Sequence, residues 1–538
     1  MISAIASSTD GYPQTTSEDV SGSAVLRWTL GIVALGVLVY RPWQPIPFDI
    51  TDFSELLPLL TGSDSSLGRL DAIVSYYFGH GRSYVVTSGF IWIQWELFGS
   101  WAVGWRLFRA LLFCILIWTF LRTATRFGLP LLPAGLGGSL FVLSWPAAEG
   151  WLRLTGEPLA AVFFLVGLGI AARYHTSPLH LRTALLLALV TAAMLLTKET
   201  MIVCVPALFL VAASWRGEGG FQIPELDRRT LLVGVTLTLT LLALALFIFL
   251  ISHRSGPEAY ARVYGTAPLT LSRLGSNLLA ILWPFGGAPR VLSPLGAFAS
   301  VLVLFGCLLA IRNNPTRGLG TGLLFLLSIC LLGAAVYLPW KRFEPHYPIP
   351  FLVGPAGILA IGACGLAGRS RIRAVLTTGS VLLILLPSVL HGIREASFRE
   401  AERLVNWKLA EAVHAVSGPA DLVFAVLGLP DQAWQGRGAT LSRYADVVFG
   451  GRSSRSPIDQ TCRQVAGRLG ETPTRTEITI SYHHWCGALL GPKTTISREV
   501  RTVLPGELKL GTVRVSADIL VRNPPTDETP SGESQPKP

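Results

Sequence analysis

Asp49 and Asp52 stand three residues apart in Pro47-Phe48-Asp49-Ile50-Thr51-Asp52-Phe53, directly behind the first long apolar run of the chain. A carboxylate held against a hydroxyl can take its proton as a general base, and one such group is enough. The same two residues equally suit a solvated loop or a helix N-cap, where aspartate is common. Lys198 is the second focus, because it stands with Glu199 between two apolar runs, 181 to 197 and 200 to 215. A charge in such a place is costly and usually faces a functional cavity. The other reading is a structural pair in which Lys198 and Glu199 cap two short helices. Arg82, Arg106 and Arg109 supply further cations near apolar segments; for Arg106 and Arg109 the alternative is snorkelling to an interface.

These residues have to be positioned by membrane-spanning helices. Of 538 residues 51% are hydrophobic and 14% charged, with a mean hydropathy of +0.50, against roughly 25% charged in soluble domains. Apolar runs fall at 25 to 40, 101 to 121, 129 to 146, 157 to 172, 181 to 197, 200 to 215, 230 to 252, 291 to 311, 319 to 339, 348 to 367 and 374 to 391. With about 20 apolar residues per crossing, they predict a polytopic α-helical membrane protein of about eleven transmembrane helices. One helix over 181 to 215 would be roughly 52 Å long, so two short, tilted helices meeting at Lys198 are preferred. The polar first 24 residues lack the charged and apolar regions of a cleavable signal. The first run is therefore expected to stay as an anchor.

The net charge of +11 is concentrated in short connections, at Arg122 and Arg126, Arg173 and Arg182, Arg216 with Arg228 and Arg229, Arg312 and Arg317, and Arg369 with Arg371 and Arg373. Basic density in alternate connections marks the cytoplasmic side, and no nucleic-acid partner is expected. This places residues 1–24 as a disordered cytoplasmic N-terminus and 25–391 as the transmembrane domain of an inner or plasma membrane protein, with an outer loop at 41–100. The piece around 269 to 285, with Arg273 and Asn277, reads as interfacial. The region 392–523 opens on a helical pattern (Leu404, Val405, Leu409, Val413) and continues with strand-like runs at 421 to 427, 476 to 482 and 512 to 521. It reads as a small C-terminal α/β domain on the extracytoplasmic face. Residues 524–538, rich in Pro, Ser and Glu, read as a disordered tail.

Cys114, Cys204, Cys307, Cys330 and Cys364 lie inside apolar runs and read as small hydrophobes. Cys462 and Cys486 lie in the polar C-terminal region and can pair if it faces an oxidising compartment. His483, His484 and Cys486 are metal-ligand types, but adjacent residues of a strand point to opposite faces, so a structural strand is the preferred reading.

Four segments, taken in order, resemble the GT-C superfamily of integral membrane glycosyltransferases. Gly79-His80-Gly81-Arg82, Phe98-Gly99 and Gly104-Trp105-Arg106-Leu107 are similar to its first outer loop. Trp145-Pro146 with Glu149, Trp151 and Arg153, then Gly156-Glu157-Pro158, are similar to its second. Leu196-Thr197-Lys198-Glu199-Thr200 before Pro206 resembles its lysine-bearing junction, and Glu344-Pro345-His346-Tyr347-Pro348-Ile349-Pro350 resembles the opening of a late helix. His346 stands where arginine is common, so a phosphate contact there is weaker or pH-dependent, with an unperturbed imidazole charged only below about pH 6.5.

The resemblance covers roughly residues 26 to 392 and implies inverting transfer of a sugar from a polyprenyl-phosphate donor to a glycan, lipid or protein acceptor on the extracytoplasmic face. It implies donor-phosphate contacts from Lys198, Arg82, Arg106, Arg109 and His346, and substrate contacts from Glu149, Arg153, Glu157 and Tyr347. Asp49 is the preferred base, being nearer the end of the first span where superfamily bases lie, and Asp52 the alternative. Carboxylate oxygens suit Mg²⁺ or Mn²⁺, which only some members use, so no metal or other cofactor is expected. The competing functions are a transporter or flippase of lipid-linked intermediates and a scaffold component of an envelope complex.

Overall fold

The computed structural model describes principally residues 21–44, 58–80, 82–177, 179–216, 220–222, 227–255, 270–282, 294–313, 319–338 and 346–367, a helix over 396–412, and five strands. The chain divides into two compact units, one of residues 1–45 and 65–396, the other of 46–64 and 397–538.

The first unit is helical: α1 (Gly22–Tyr40), α2 (Ser66–Gly79), α3 (Val85–Phe98), α4 (Ala102–Arg126), α5 (Leu131–Gly138), α6 (Trp145–Leu152), α7 (Glu157–Ala171), α8 (His180–Thr197), α9 (Val205–Ser214), α10 (Arg228–Ser255), α11 (Leu271–Leu282), α12 (Pro294–Asn313), α13 (Leu319–Val336) and α14 (Val353–Ala367). Among the described residues six helical stretches are long and apolar enough to cross a membrane, seven if the bent pair 131–143 and 145–152 counts as one. Four shorter apolar helices accompany them, and the apolar run at 374 to 391 lies outside the described residues, as do residues 1–20 and 524–538. With its apolar composition, this is a membrane protein.

Three boundaries differ from the sequence reading. α1 begins at Gly22, because Ser21 Oγ accepts the Ala24 N–H at 3.2 Å and caps the helix. α4 runs on to Arg126, whose basic side chain in the last turn complements the helix dipole. The run 129 to 146 is not one helix: it bends by 56° at Ser144. Ser144 Oγ accepts the Ala147 N–H at 3.3 Å, Pro146 sits in the first turn, and α6 thereby carries Glu149 and Trp151 as helical residues. The Trp151 ring stacks between Tyr40 and Phe113, with centroids 5.3 and 4.7 Å away.

α8 ends at Thr197, and Lys198 is extended (φ −155°, ψ 109°) before a 3-10 turn, Glu199–Cys204, leads into α9. The Asn277 side chain on α11 is buried and donates to the Ala334 carbonyl at 3.2 Å. Among the described residues, the arginine-rich connections around Arg126, Arg173, Arg216 and Arg229 come together at one end of the bundle. Arg126 Nη1 donates to Gly169 O at 3.4 Å, Tyr174 OH donates to Arg229 O at 2.7 Å, and His175 lies within electrostatic reach of Arg216 and Arg229. Asp227, just before α10, accepts the Thr230 N–H at 2.7 Å, and that bond holds its carboxyl below the usual range.

α12 and α14 touch through glycine backbones. A methyl group on Gly362 would come 2.6 Å from Val303 O, and one on Gly365 would overlap Gly306 O outright. Close approach through small residues is how helices pack where lipid removes the hydrophobic drive. Gly365→Ala should therefore lower the melting temperature in detergent, with an overpacking cost of about 1–3 kcal/mol. Gly322→Ala, whose methyl meets nothing within 4 Å, should leave it unchanged or raised.

The second unit contains a five-stranded sheet of β1 (Leu422–Leu427), β2 (Arg455–Gln460), β3 (Thr476–Tyr482), β4 (Thr494–Val503) and β5 (Lys509–Arg522), in the order β2-β1-β3-β5-β4. β1 pairs parallel with β2 and β3, while β5 pairs antiparallel with β3 and β4. The strand-like runs read from the sequence correspond to β1, β3 and β5. In the helix over 396–412, Val405 and Leu409 are buried and Leu404 half-buried. Val413, Cys462, His483, His484 and Cys486 lie outside the described residues. Cys114, Cys204, Cys307, Cys330 and Cys364 form no disulfide among the described residues and lie buried or half-buried in the helices.

Candidate functional site

At the end of the bundle away from the arginines, the break after α8 meets the start of α7, the approach to α3 and the segment leading into α14. Together they enclose a polar cavity of about 170 Å³. The chain closes tightly there because Gly156 has no side chain: a methyl group on it would stand 2.8 Å from Thr87 Oγ1, which itself donates to Thr197 O at 2.9 Å. Glu157 is the first residue of α7, a position where a carboxylate complements the helix dipole.

Lys198, only 6% exposed, turns its ammonium to the Glu157 carboxylate, which is 2% exposed, in a buried ion pair. His346 Nε2 lies 3.8 Å from the same carboxylate. The Lys198 Nζ also stands 4.9 Å from the Tyr347 ring centre and 5.5 Å from that of Tyr84, distances at which an aromatic face attracts a cation. Tyr347 stacks on Tyr337 at 4.8 Å, and the Tyr337 hydroxyl meets Thr200 Oγ1 at 3.3 Å.

Arg82, 2% exposed, forms a second ion pair, with the half-buried Glu199. It donates from Nη1 to the Tyr84 hydroxyl at 2.9 Å. The adjacent pairing of Lys198 with Glu199, weighed as the structural alternative, is therefore not made. At an extended residue successive side chains point apart, and each partner reaches across to another segment. Tyr84 and Tyr337 were not picked out from the sequence; Glu157 and Glu199 were, but not as the partners of Lys198 and Arg82. Tyr84 stands two residues from Arg82, the one local signal that points to it.

The remaining expected residues are placed elsewhere or are not described. Arg106 and Arg109 are buried on the first turns of α4, with Arg106 Nε donating to Ala102 O at 3.3 Å, and neither lines the cavity. Glu149 and Arg153 pair at 3.2 Å across the end of α6, also outside the lining. Asp49 and Asp52 lie outside the described residues.

No protein-family model matches the chain, and no curated protein matches it. Solved structures do. The apo ArnT of Cupriavidus metallidurans is 14% identical with a TM-score of 0.49, over 92% of this chain and 98% of that one. The same protein bound to undecaprenyl phosphate gives 13% and 0.48 over the same shares. The oligosaccharyltransferase AglB of Archaeoglobus fulgidus, solved with an inhibitory peptide and a dolichol-phosphate, is 10% identical with a TM-score of 0.44, over 86% of this chain and 69% of that one.

Proposed function

We propose that the protein is a GT-C-type integral membrane glycosyltransferase that moves a sugar from a polyprenyl-phosphate carrier to a glycan, lipid or protein acceptor on the extracytoplasmic face. The observation that carries this reading is Lys198, a buried ammonium set at a helix break inside a polar cavity and flanked by two tyrosine faces. An ammonium has three N–H donors, and a single carboxylate partner leaves capacity for a phosphate oxygen. The resemblance of the surrounding segments to GT-C loops supports the same reading.

In the proposed reaction Asp49, or Asp52, removes the acceptor hydroxyl proton as the oxygen attacks the anomeric carbon. The bond from that carbon to the phosphate oxygen breaks, configuration inverts, and the polyprenyl phosphate leaves with the bonding pair. Charge developing on the leaving phosphate is where fixed cations contribute most, and the reading gives that part to Lys198 and Arg82. Arg106 and Arg109 fit a role in anchoring α4 better than phosphate contact, since neither reaches the cavity.

Transfer of radiolabelled sugar from a polyprenyl-phosphate donor in membranes tests the function. Movement of intact donor across the bilayer without sugar transfer would establish a flippase instead. The reading also fixes topology: the N-terminus is cytoplasmic and the region after residue 392 extracytoplasmic. Reporter fusions after residue 392 should be active only outside, and fusions near residue 175 only in the cytoplasm. A cytoplasmic C-terminal region would sink the mechanism along with the topology.

A further inference from the structure

A second cavity lies at the arginine end of the bundle. Gly169 is twelve residues beyond Glu157 on α7, about 18 Å along the axis at 1.5 Å per residue, so this cavity is separate from the one around Lys198. It encloses about 80 Å³ between α4, α7, α13 and α14, and its walls are apolar apart from Thr123, with Phe127, Leu168, Trp215 and Phe325 prominent among them. Room for a short stretch of one hydrocarbon chain is what such a crevice offers.

Three arginines belong to two of the segments that wall it, on α4 and just beyond the end of α7. Arg122 and Arg126 are one turn apart on α4, whose Thr123 and Phe127 line the crevice. Arg173 lies one turn beyond Gly169, whose carbonyl Arg126 holds. Arg122 and Arg173 are each within electrostatic reach of Arg126, yet no carboxylate among the described residues pairs with any of the three. The Gly169 carbonyl takes one of the five N–H donors of Arg126, and Arg122 lies over the Trp118 ring at 5.8 Å. Three like charges brought together beside an apolar crevice call for an anion that carries a hydrocarbon chain, and basic pockets between membrane helices hold anionic lipid headgroups in this way.

We propose that this crevice binds one anionic diacyl phospholipid, its phosphate held by Arg122, Arg126 and Arg173 and part of one acyl chain lodged against Phe127 and Trp215. The inference does not depend on the sugar-transfer reading, and its test measures lipid rather than turnover.

The test uses the full-length protein in detergent. Phosphatidylglycerol with brominated acyl chains should quench tryptophan fluorescence, and Trp215→Phe should remove part of that quenching. Unlabelled phosphatidylglycerol should compete, whereas phosphatidylcholine and free glycerol phosphate should not. Arg122→Gln and Arg173→Gln should each weaken apparent affinity about fivefold, the worth of one basic residue at an anionic surface. Gly322→Leu fills the crevice from a wall where there is room and should lower quenching with the arginines intact. Equal competition by phosphatidylcholine, or unchanged affinity in both arginine variants, would overturn the proposal. Competition by glycerol phosphate would make it a headgroup site without a lipid chain and overturn it equally.

Discussion

Lys198→Met should raise the donor KM by a factor of about ten to a hundred while leaving the acceptor KM near its original value. A charge-assisted hydrogen bond to a buried phosphate contributes about 1.5–3 kcal/mol, and methionine keeps the apolar stem without the ammonium. The substitution also strands Glu157, which is 2% exposed, and breaking a buried ion pair by removing one partner costs about 3–5 kcal/mol. Stability and donor use would therefore fall together, and the single variant cannot separate them. Lys198→Met with Glu157→Gln removes both charges and should recover most of the melting temperature without recovering donor affinity. A normal donor KM in that double variant would reduce Lys198 to a structural role. Lys198→Arg should rescue only partly, since a planar guanidinium does not fit where a compact ammonium sits.

Asp49→Asn should lower transfer by roughly 10²- to 10⁴-fold, the usual loss for a general base, with unchanged protein in the membrane. Asparagine preserves size and hydrogen bonding but cannot take the acceptor proton, so the fall should be in kcat. An active Asp49→Asn beside a dead Asp52→Asn would pass the role to Asp52. Full activity in the double variant would remove this loop from the chemistry. Glu157 is a poor substitute for either, because its carboxylate already serves the Lys198 ammonium and lies against His346.

The break at Lys198 was legible because charged residues between two apolar runs leave no other economical way to cross a bilayer. Its partners were not, since Glu157 is 41 residues away and Arg82 pairs with Glu199 across 117. Hydropathy carries no information about such distant contacts. The bend at Ser144 was hidden for a different reason: the apolar run is continuous through it, and a single hydroxyl cap with the following proline ends the helix. In the sheet, β1, β3 and β5 read as strands, whereas β2 and β4 did not. Both are edges. Pro457 and Asp459 dilute β2, and Arg498, Glu499 and Arg501 interrupt β4, which are residues tolerated or favoured where one side of a strand is unpaired.

The Lys198–Glu157 pair bears on how the proposed transfer would turn over. In the proposed reaction the donor is a phosphodiester with one negative charge, whereas the spent carrier is a monoester whose second ionisation, near pH 6, gives it close to two. A bare cation would hold the product more tightly than the substrate and stall after one cycle. A carboxylate seated against the ammonium would compete with the phosphate for it, so in the proposed reaction the pair would favour release of the spent lipid. Glu157→Gln should accordingly make inhibition by free polyprenyl phosphate stronger, with a several-fold lower inhibition constant and a burst of product before a slow steady state. An unaltered inhibition constant would mean that the carboxylate only anchors the lysine and has no part in clearing the site.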